Sequence, residues 1–321
     1  MNLQTELPLS SSHSHQIDYS SKLLLLGSCF SENIGEKFSF YKFETFTNPF
    51  GIYFHPVAIE RFVTAVIDEK KFTTEDIFFS NERFHCFDAH SRLSNASEVQ
   101  LIKNLNEKSK ATLQFLGNTS HIIITLGTSW AYKHKDSGQY VANCHKVPQK
   151  QFSKELLSVA EICKSIKSII NQISNLNADV KFIFTVSPVR HIKDGFVENM
   201  RSKAHLISAI HNYLESEEKV DNMRSTYFPS YEIVMDELRD YRFFNADMLH
   251  PNQTAVNYIW ERFQNVHMSK ETKETMDDVA EVQKGLSHRP TNPISAAHQT
   301  FLQKLAEKQQ KLTSKYPHIQ F

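Results

Sequence analysis

Glycine is scarce in this chain, with 8 in 321 residues, and neither a Gly-x-Gly-x-x-Gly nor a Gly-x-x-x-x-Gly-Lys-Ser/Thr loop occurs. Loops that cradle phosphates need glycines at those spacings so that the backbone can approach the ligand closely. Nucleotide cofactors are therefore not expected, and no other cofactor is indicated. Net charge is also lacking: Lys plus Arg and Asp plus Glu each total 36. Without an excess positive field to concentrate polyphosphate, a nucleic-acid partner is not expected. Long hydrophobic runs are missing as well. The longest, Leu23 to Leu26 and Ile122 to Ile124, fall far short of the roughly 20 apolar residues that span a bilayer. Met1 to Ile17 is polar and Ser/His-rich, without the basic start and apolar stretch of a signal peptide. The 4 cysteines form no Cys-x-x-Cys pair, so free thiols in a reducing cytoplasm are expected.

What is present suits a packed α/β domain. Leu23 to Leu26 is an unbroken apolar run ending at Gly27, as expected of a strand buried on both faces of a parallel sheet. Ser28 and Ser31 then offer N-caps for a helix to about Phe43. The pattern returns at Ile122 to Leu126, stopped by Gly127, and at Val180 to Val186, stopped by Ser187-Pro188. Between them, Ser153 begins a helical pattern with Leu156, Ala160, Cys163, Ile166, Ile170 and Ile173 on one face. Further helices are expected at 56–69, 98–116, 197–216, 230–238 and 252–266. The Phe-rich stretch from Lys71 to Asn95 reads as an inserted hairpin or lid. This alternation predicts a doubly wound, mainly parallel sheet in a three-layer α/β/α domain over 20–265, with ligands bound beyond the carboxyl ends of the strands. Residues 266–321, rich in charge and then helical again, are expected to form a C-terminal helical appendage able to pair with a second copy.

Two segments carry the chemistry. Asp247 and His250 stand three positions apart in Asp247-Met248-Leu249-His250-Pro251, so the carboxylate can hold one imidazole nitrogen and leave the other facing a cleft. Pro251 suits the first turn of the helix that follows. The turn Gly27-Ser28-Cys29-Phe30 follows a strand and opens a helix, whose free N–H groups can hold an oxyanion and depress a nearby thiol pKa. Either segment also has a plain structural reading, as a helix-start histidine bonded to an aspartate and as a helix cap with a buried cysteine.

Gly27-Ser28-Cys29-Phe30-Ser31 resembles the signature of the GSCFA-domain family, a bacterial group related to the SGNH/GDSL hydrolases. The resemblance runs on through Asn48-Pro49-Phe50-Gly51, Gly127-Thr128-Ser129-Trp130, Asn143-Cys144-His145-Lys146, Ser187-Pro188-Val189-Arg190-His191 and Tyr227-Phe228-Pro229-Ser230, to Asp247 through Pro251. It implies an SGNH-like esterase or acyltransferase acting on an acyl ester or thioester. The wider superfamily's Gly-Asp-Ser block falls on Gly27, Ser28 and Cys29, which favours Cys29 over Ser28 as nucleophile. Gly51 takes the place of an oxyanion glycine, with Asn48 beside it. Ser129 and Trp130 follow Gly127-Thr128 where Gly-x-Asn-Asp is usual, so the oxyanion asparagine is absent. Loss of such a donor can cost about 3–4 kcal/mol of transition-state stabilisation, and Thr128, Ser129 and Asn143 are the candidates to replace it.

Among the remaining candidates, His145, Lys146 and Arg190 are expected to contact the substrate, the two cations by binding an anionic group. A zinc site built from His85, Cys86, Asp88 and His90 with Cys144 and His145 is the metal alternative, although no metal-ligand spacing supports it, and no metal is expected. A small-molecule or acylated substrate is the expected partner. The competing reading is a binding module that keeps the hydrolase cleft with weakened catalysis.

Overall fold

The computed structural model describes residues 5–216 and 224–321. In chain order its first half comprises β1 (Lys22–Gly27), α1 (Cys29–Phe40), β2 (Glu44–Thr47), α2 (Pro56–Ile67), β3 (Phe78–Ser80), β4 (Arg83–His85), α3 (Glu98–Leu116) and β5 (His121–Leu126). Then come β6 (Trp130–His134), β7 (Tyr140–Val141), β8 (Phe152–Leu156), α4 (Val159–Leu176), β9 (Lys181–Val186), α5 (Phe196–Glu215) and β10 (Ser225–Tyr227). The chain continues with α6 (Ser230–Glu232), α7 (Gln253–His267), α8 (Lys270–Ser287) and α9 (Ala296–Lys315).

A parallel sheet in the order β10-β9-β5-β1-β2 forms the centre. Its three central strands, β9, β5 and β1, are apolar on both faces because both are covered. Leu24, Leu26, Ile122, Ile124, Phe182 and Phe184 pack with α2, α3, α4 and α5, whereas Leu23, Leu25, Ile123 and Ile183 pack with α1, α7, α8 and α9. The alternation of strand side chains thus yields a three-layer α/β/α fold. Strand order reverses between β1 and β5, and a doubly wound sheet opens a crevice at its carboxyl edge at such a point. The turns after β1, β5 and β9 meet there.

The C-terminal helical region packs on the same domain. Met276 and Val279 of α8 and Leu305 and Leu312 of α9 join the cluster containing Phe38 and Trp260. At Gly285 an added Cβ would lie 2.5 Å from Leu305 Cδ1, so the small residue sets the closeness of this crossing.

Local structure departs from the sequence pattern in several places. Phe152–Leu156 is a strand of a separate antiparallel sheet, β7-β6-β8, and the helix begins only at Val159. A reciprocal cap decides this: Ser158 accepts from the Glu161 N–H while the Glu161 carboxylate accepts from the Ser158 N–H. Helix α1 ends at Phe40, before Lys42 enters left-handed backbone at φ 61°. The helix expected at 230–238 is one short turn followed by a π turn, Ile233–Glu237. Pro251 precedes the cap Asn252, outside the first turn of α7. The 71–95 stretch contains the hairpin β3–β4, whose Phe78 packs on Phe87, His85 and His145.

Candidate active site

The turn after β1 is fixed by its backbone. Gly27 has φ 130°, and a Cβ there would lie 2.1 Å from Thr125 O, so only glycine fits. Its N–H donates to Asn48 Oδ1 at 2.9 Å, and the Ser28 N–H donates to Thr125 O at 3.0 Å. Ser28 has no exposed surface, and its Oγ caps α1 by accepting from the Phe30 N–H. Ser28 is therefore a buried cap of α1 that lines no part of the cavity reached by Cys29, a correction to its candidacy as nucleophile. Cys29, the first helical residue, lines a cavity of about 630 Å³. Its N–H belongs to the helix's first turn, which has no intrahelical acceptor.

His250 lines the same cavity. Its Nδ1 lies 2.6 Å from Asp247 Oδ2, while Asp247 Oδ1 accepts from the Leu249 and His250 N–H groups at 2.9 and 3.0 Å. Met248 takes left-handed backbone at φ 60° to close this loop. These donors, the His250 N–H foremost, hold the Asp247 carboxyl down at about 2. The carboxylate thus stays ionised at neutral pH and fixes the imidazole, with Nε2 making no protein hydrogen bond among the described residues. Two residues more than 200 positions apart face one space.

The helix start does not bring the thiol below its ordinary value, as the sequence suggested. Burial pushes Cys29 up and Glu32 adds to this, while Lys203 and the Cys29 and Phe30 N–H groups pull the other way.

Other candidates divide cleanly. Arg190 and Asn143 line the cavity with Cys29. Asn143 Oδ1 accepts from the His145 N–H, leaving its amide nitrogen without a protein partner among the described residues. Thr128 lines the cavity too, but its Oγ1 is tied to Ser202 Oγ and accepts from the Trp130 N–H. Ser129 is fully buried, its hydroxyl donating to Ser202 O, so it replaces no oxyanion donor. Gly51 is also corrected: its N–H donates to Asn48 O at 2.7 Å, and it packs on His90 away from this cavity. Asn48 acts behind the turn, through Gly27. His145 is buried with Nε2 on Cys86 O, and Lys146 is exposed outside the cavity lining, so neither reaches the substrate space. His85 spends both ring nitrogens on Ser94 Oγ and Ser80 O. Among the described residues, no group of three or more His, Cys, Asp or Glu is arranged to hold a metal ion.

Sequence reasoning missed the aromatic wall and Lys203, whereas His191 stood beside Arg190 on the expected strand-end rim. Trp130 and Tyr132 of β6 form a cavity wall, with the Lys154 ammonium over both rings and paired with Asp194. Their strand pairing, hidden by the helical reading of 153–156, was the signal. His191 lines the cavity beside Phe54 and is pushed down to about 3 by burial, with Lys203 and His250 adding to the effect. It is thus neutral. Lys203, on α5, is fully buried beneath the strand ends; nothing in a single helical Ser-Lys-Ala segment marks such a position.

The GSCFA family model matches residues 22–263, and that of the GSCFA domain protein, C-terminal domain, matches residues 279–321. No curated protein matches the chain.

Proposed function

The chain belongs to the GSCFA family, and we propose that it is an SGNH-like acyl hydrolase or acyltransferase whose nucleophile is Cys29. The observation that carries this reading is the shared cavity of Cys29 and the Asp247-held His250. Nucleophile, base and orienter are the parts that acyl transfer through a covalent intermediate requires.

His250 Nε2 takes the thiol proton as Sγ attacks the carbonyl carbon of an ester or thioester. The carbonyl π pair moves to oxygen, where the Cys29 N–H and the Asn143 amide are the available donors. Collapse of the adduct reforms the carbonyl and expels the alkoxide or thiolate, which receives the proton from His250. A water or an acceptor hydroxyl, deprotonated by His250, then attacks the acyl-cysteine and restores the thiol. The cavity volume falls in the ordinary small-ligand range of about 300–1,000 Å³. Its aromatic wall and Arg190 suit an acyl group carrying apolar surface and an anionic end. The four free cysteines suit a reducing cytoplasm, where we place a freely diffusing acylated substrate.

The test is turnover of short p-nitrophenyl esters and acyl thioesters, with and without hydroxyl acceptors. Product formation that is lost in Cys29→Ala and His250→Ala is expected; turnover insensitive to both contradicts the reading. A binding module is the second reading, favoured by the upward-pushed thiol and the absent asparagine. It predicts ligand binding that survives both substitutions with no turnover in the unsubstituted chain.

A further inference from the structure

Beneath the cavity lies a buried cation that the mechanism above does not use. The Lys203 ammonium donates to Gly127 O at 2.6 Å and to Ser187 O at 2.7 Å. These carbonyls directly follow β5 and β9; β5 is a neighbour of β1, and a Cβ on Gly127 would lie 3.3 Å from Ser28 Cβ and 3.5 Å from His191 Nε2, so the ammonium is anchored against the Cys29 turn. The side chain is 1% exposed and its Nζ stands 5.6 Å from the centroid of the Tyr231 ring. Two carbonyl dipoles satisfy hydrogen bonds but supply no counter-charge, and a buried ammonium without one is costly.

The acid that supports the charged form is Cys29, while Arg190 opposes it. Reciprocally, Lys203 is the side-chain cation acting on Cys29, where Glu32 acts with the opposite sign. His191, facing Lys203 and His250, is held neutral and adds no charge of its own. Burial lowers Lys203 and the Cys29 charge raises it, so each charge favours the other.

We propose that Lys203 is the counter-charge of the Cys29 nucleophile, a positioning residue whose ammonium, anchored on the ends of two strands, stabilises the attacking thiolate. The proposal deepens the acyl-transfer reading and rests on its choice of nucleophile. In the step concerned, the thiol proton passes to His250 and the sulfur lone pair forms the new C–S bond. Lys203 keeps its three protons throughout. The arrangement gives the buried nucleophile a source of ionisation that the helix start alone does not provide.

The test is the pH profile of iodoacetamide alkylation at Cys29, followed by peptide mass spectrometry to separate it from the other thiols. Lys203→Gln retains an amide donor for the carbonyls without the charge, and Lys203→Met removes both. Both are expected to raise the alkylation midpoint by about one unit or more, with the high-pH plateau kept within about threefold because the thiolate itself is unchanged. Unchanged midpoints, or a lowered plateau without a midpoint shift, overturn the proposal and leave Lys203 a structural residue. Acylation of Cys29 by p-nitrophenyl acetate is measured on the same proteins. A midpoint shift without acylation supports the counter-charge while contradicting the acyl-transfer reading.

Discussion

The chain holds two groups of histidines that look alike as sequence and differ in what their nitrogens do. In His85 and His145, beside the β3–β4 hairpin, the ring nitrogens that bond do so to Ser94, Ser80 and Cys86, and aromatic rings pack around them. His250, at the carboxyl edge of the parallel sheet, fixes one nitrogen on Asp247 and leaves the other toward the cavity that Cys29 lines. Position relative to the sheet separates the roles. An imidazole bonded within a packed layer is a strut, while one held by a single carboxylate at a strand-end crevice is free to move a proton.

The largest expected effect breaks that comparison most directly. His250→Ala should lower Cys29-dependent acyl turnover by about 10²–10⁴, the usual contribution of a positioned base. His145→Ala should leave the Cys29 alkylation rate within about threefold, since its link to the site is the backbone N–H on Asn143 Oδ1, which the substitution keeps. Equal losses in both variants would erase the distinction.

Acid should act on the struts next. Burial holds His55 and His145 down at about 4, and His267 likewise, below their ordinary value. The unfolded chain therefore binds more protons than the folded one between about pH 6.5 and 4. Stability is fully present above that window and falls as pH drops through it. Thermal unfolding from pH 7 to pH 4 should show a falling Tm with more than one proton taken up on unfolding, and His145→Gln should flatten the slope. A Tm independent of pH in this range would contradict the assignment.

Smaller effects sharpen the same contrast. Loss of the His145 bond to Cys86 O in His145→Ala should cost about 1–3 kcal/mol in denaturant titrations. At the turn after β1, Ser28→Ala should cost about 1 kcal/mol, the usual worth of an N-cap, with Cys29 still alkylated. A Ser28→Ala protein of full stability would mean that the cap contributes nothing.

The sheet was legible where strands are buried on both faces: Leu23 to Leu26, Ile122 to Leu126 and Val180 to Val186 announce themselves by unbroken apolar character. β2 and β10 were not, because four- and three-residue edge strands carry too little pattern. At 153–156 helical spacing competed with a strand, and the Ser158–Glu161 cap decided the helix start. The Asp247–His250 pair was readable because the two residues are neighbours in sequence. Gly51 and Ser129 were misassigned because what excludes them is tertiary: an N–H committed to Asn48 and a hydroxyl committed to Ser202. Lys203 was invisible for the same reason, since its meaning lies in two strand ends and a thiol distant in the chain.

The central claim is that Cys29 carries the acyl group, with Ser28 beneath it as a cap. Brief exposure to an acyl thioester, acid quench and peptide mass spectrometry test this most directly. The account predicts an acyl adduct on Cys29 that persists in Ser28→Ala and disappears in Cys29→Ala. An adduct on Ser28, or none in the unsubstituted protein across the ester and thioester panel, would contradict it.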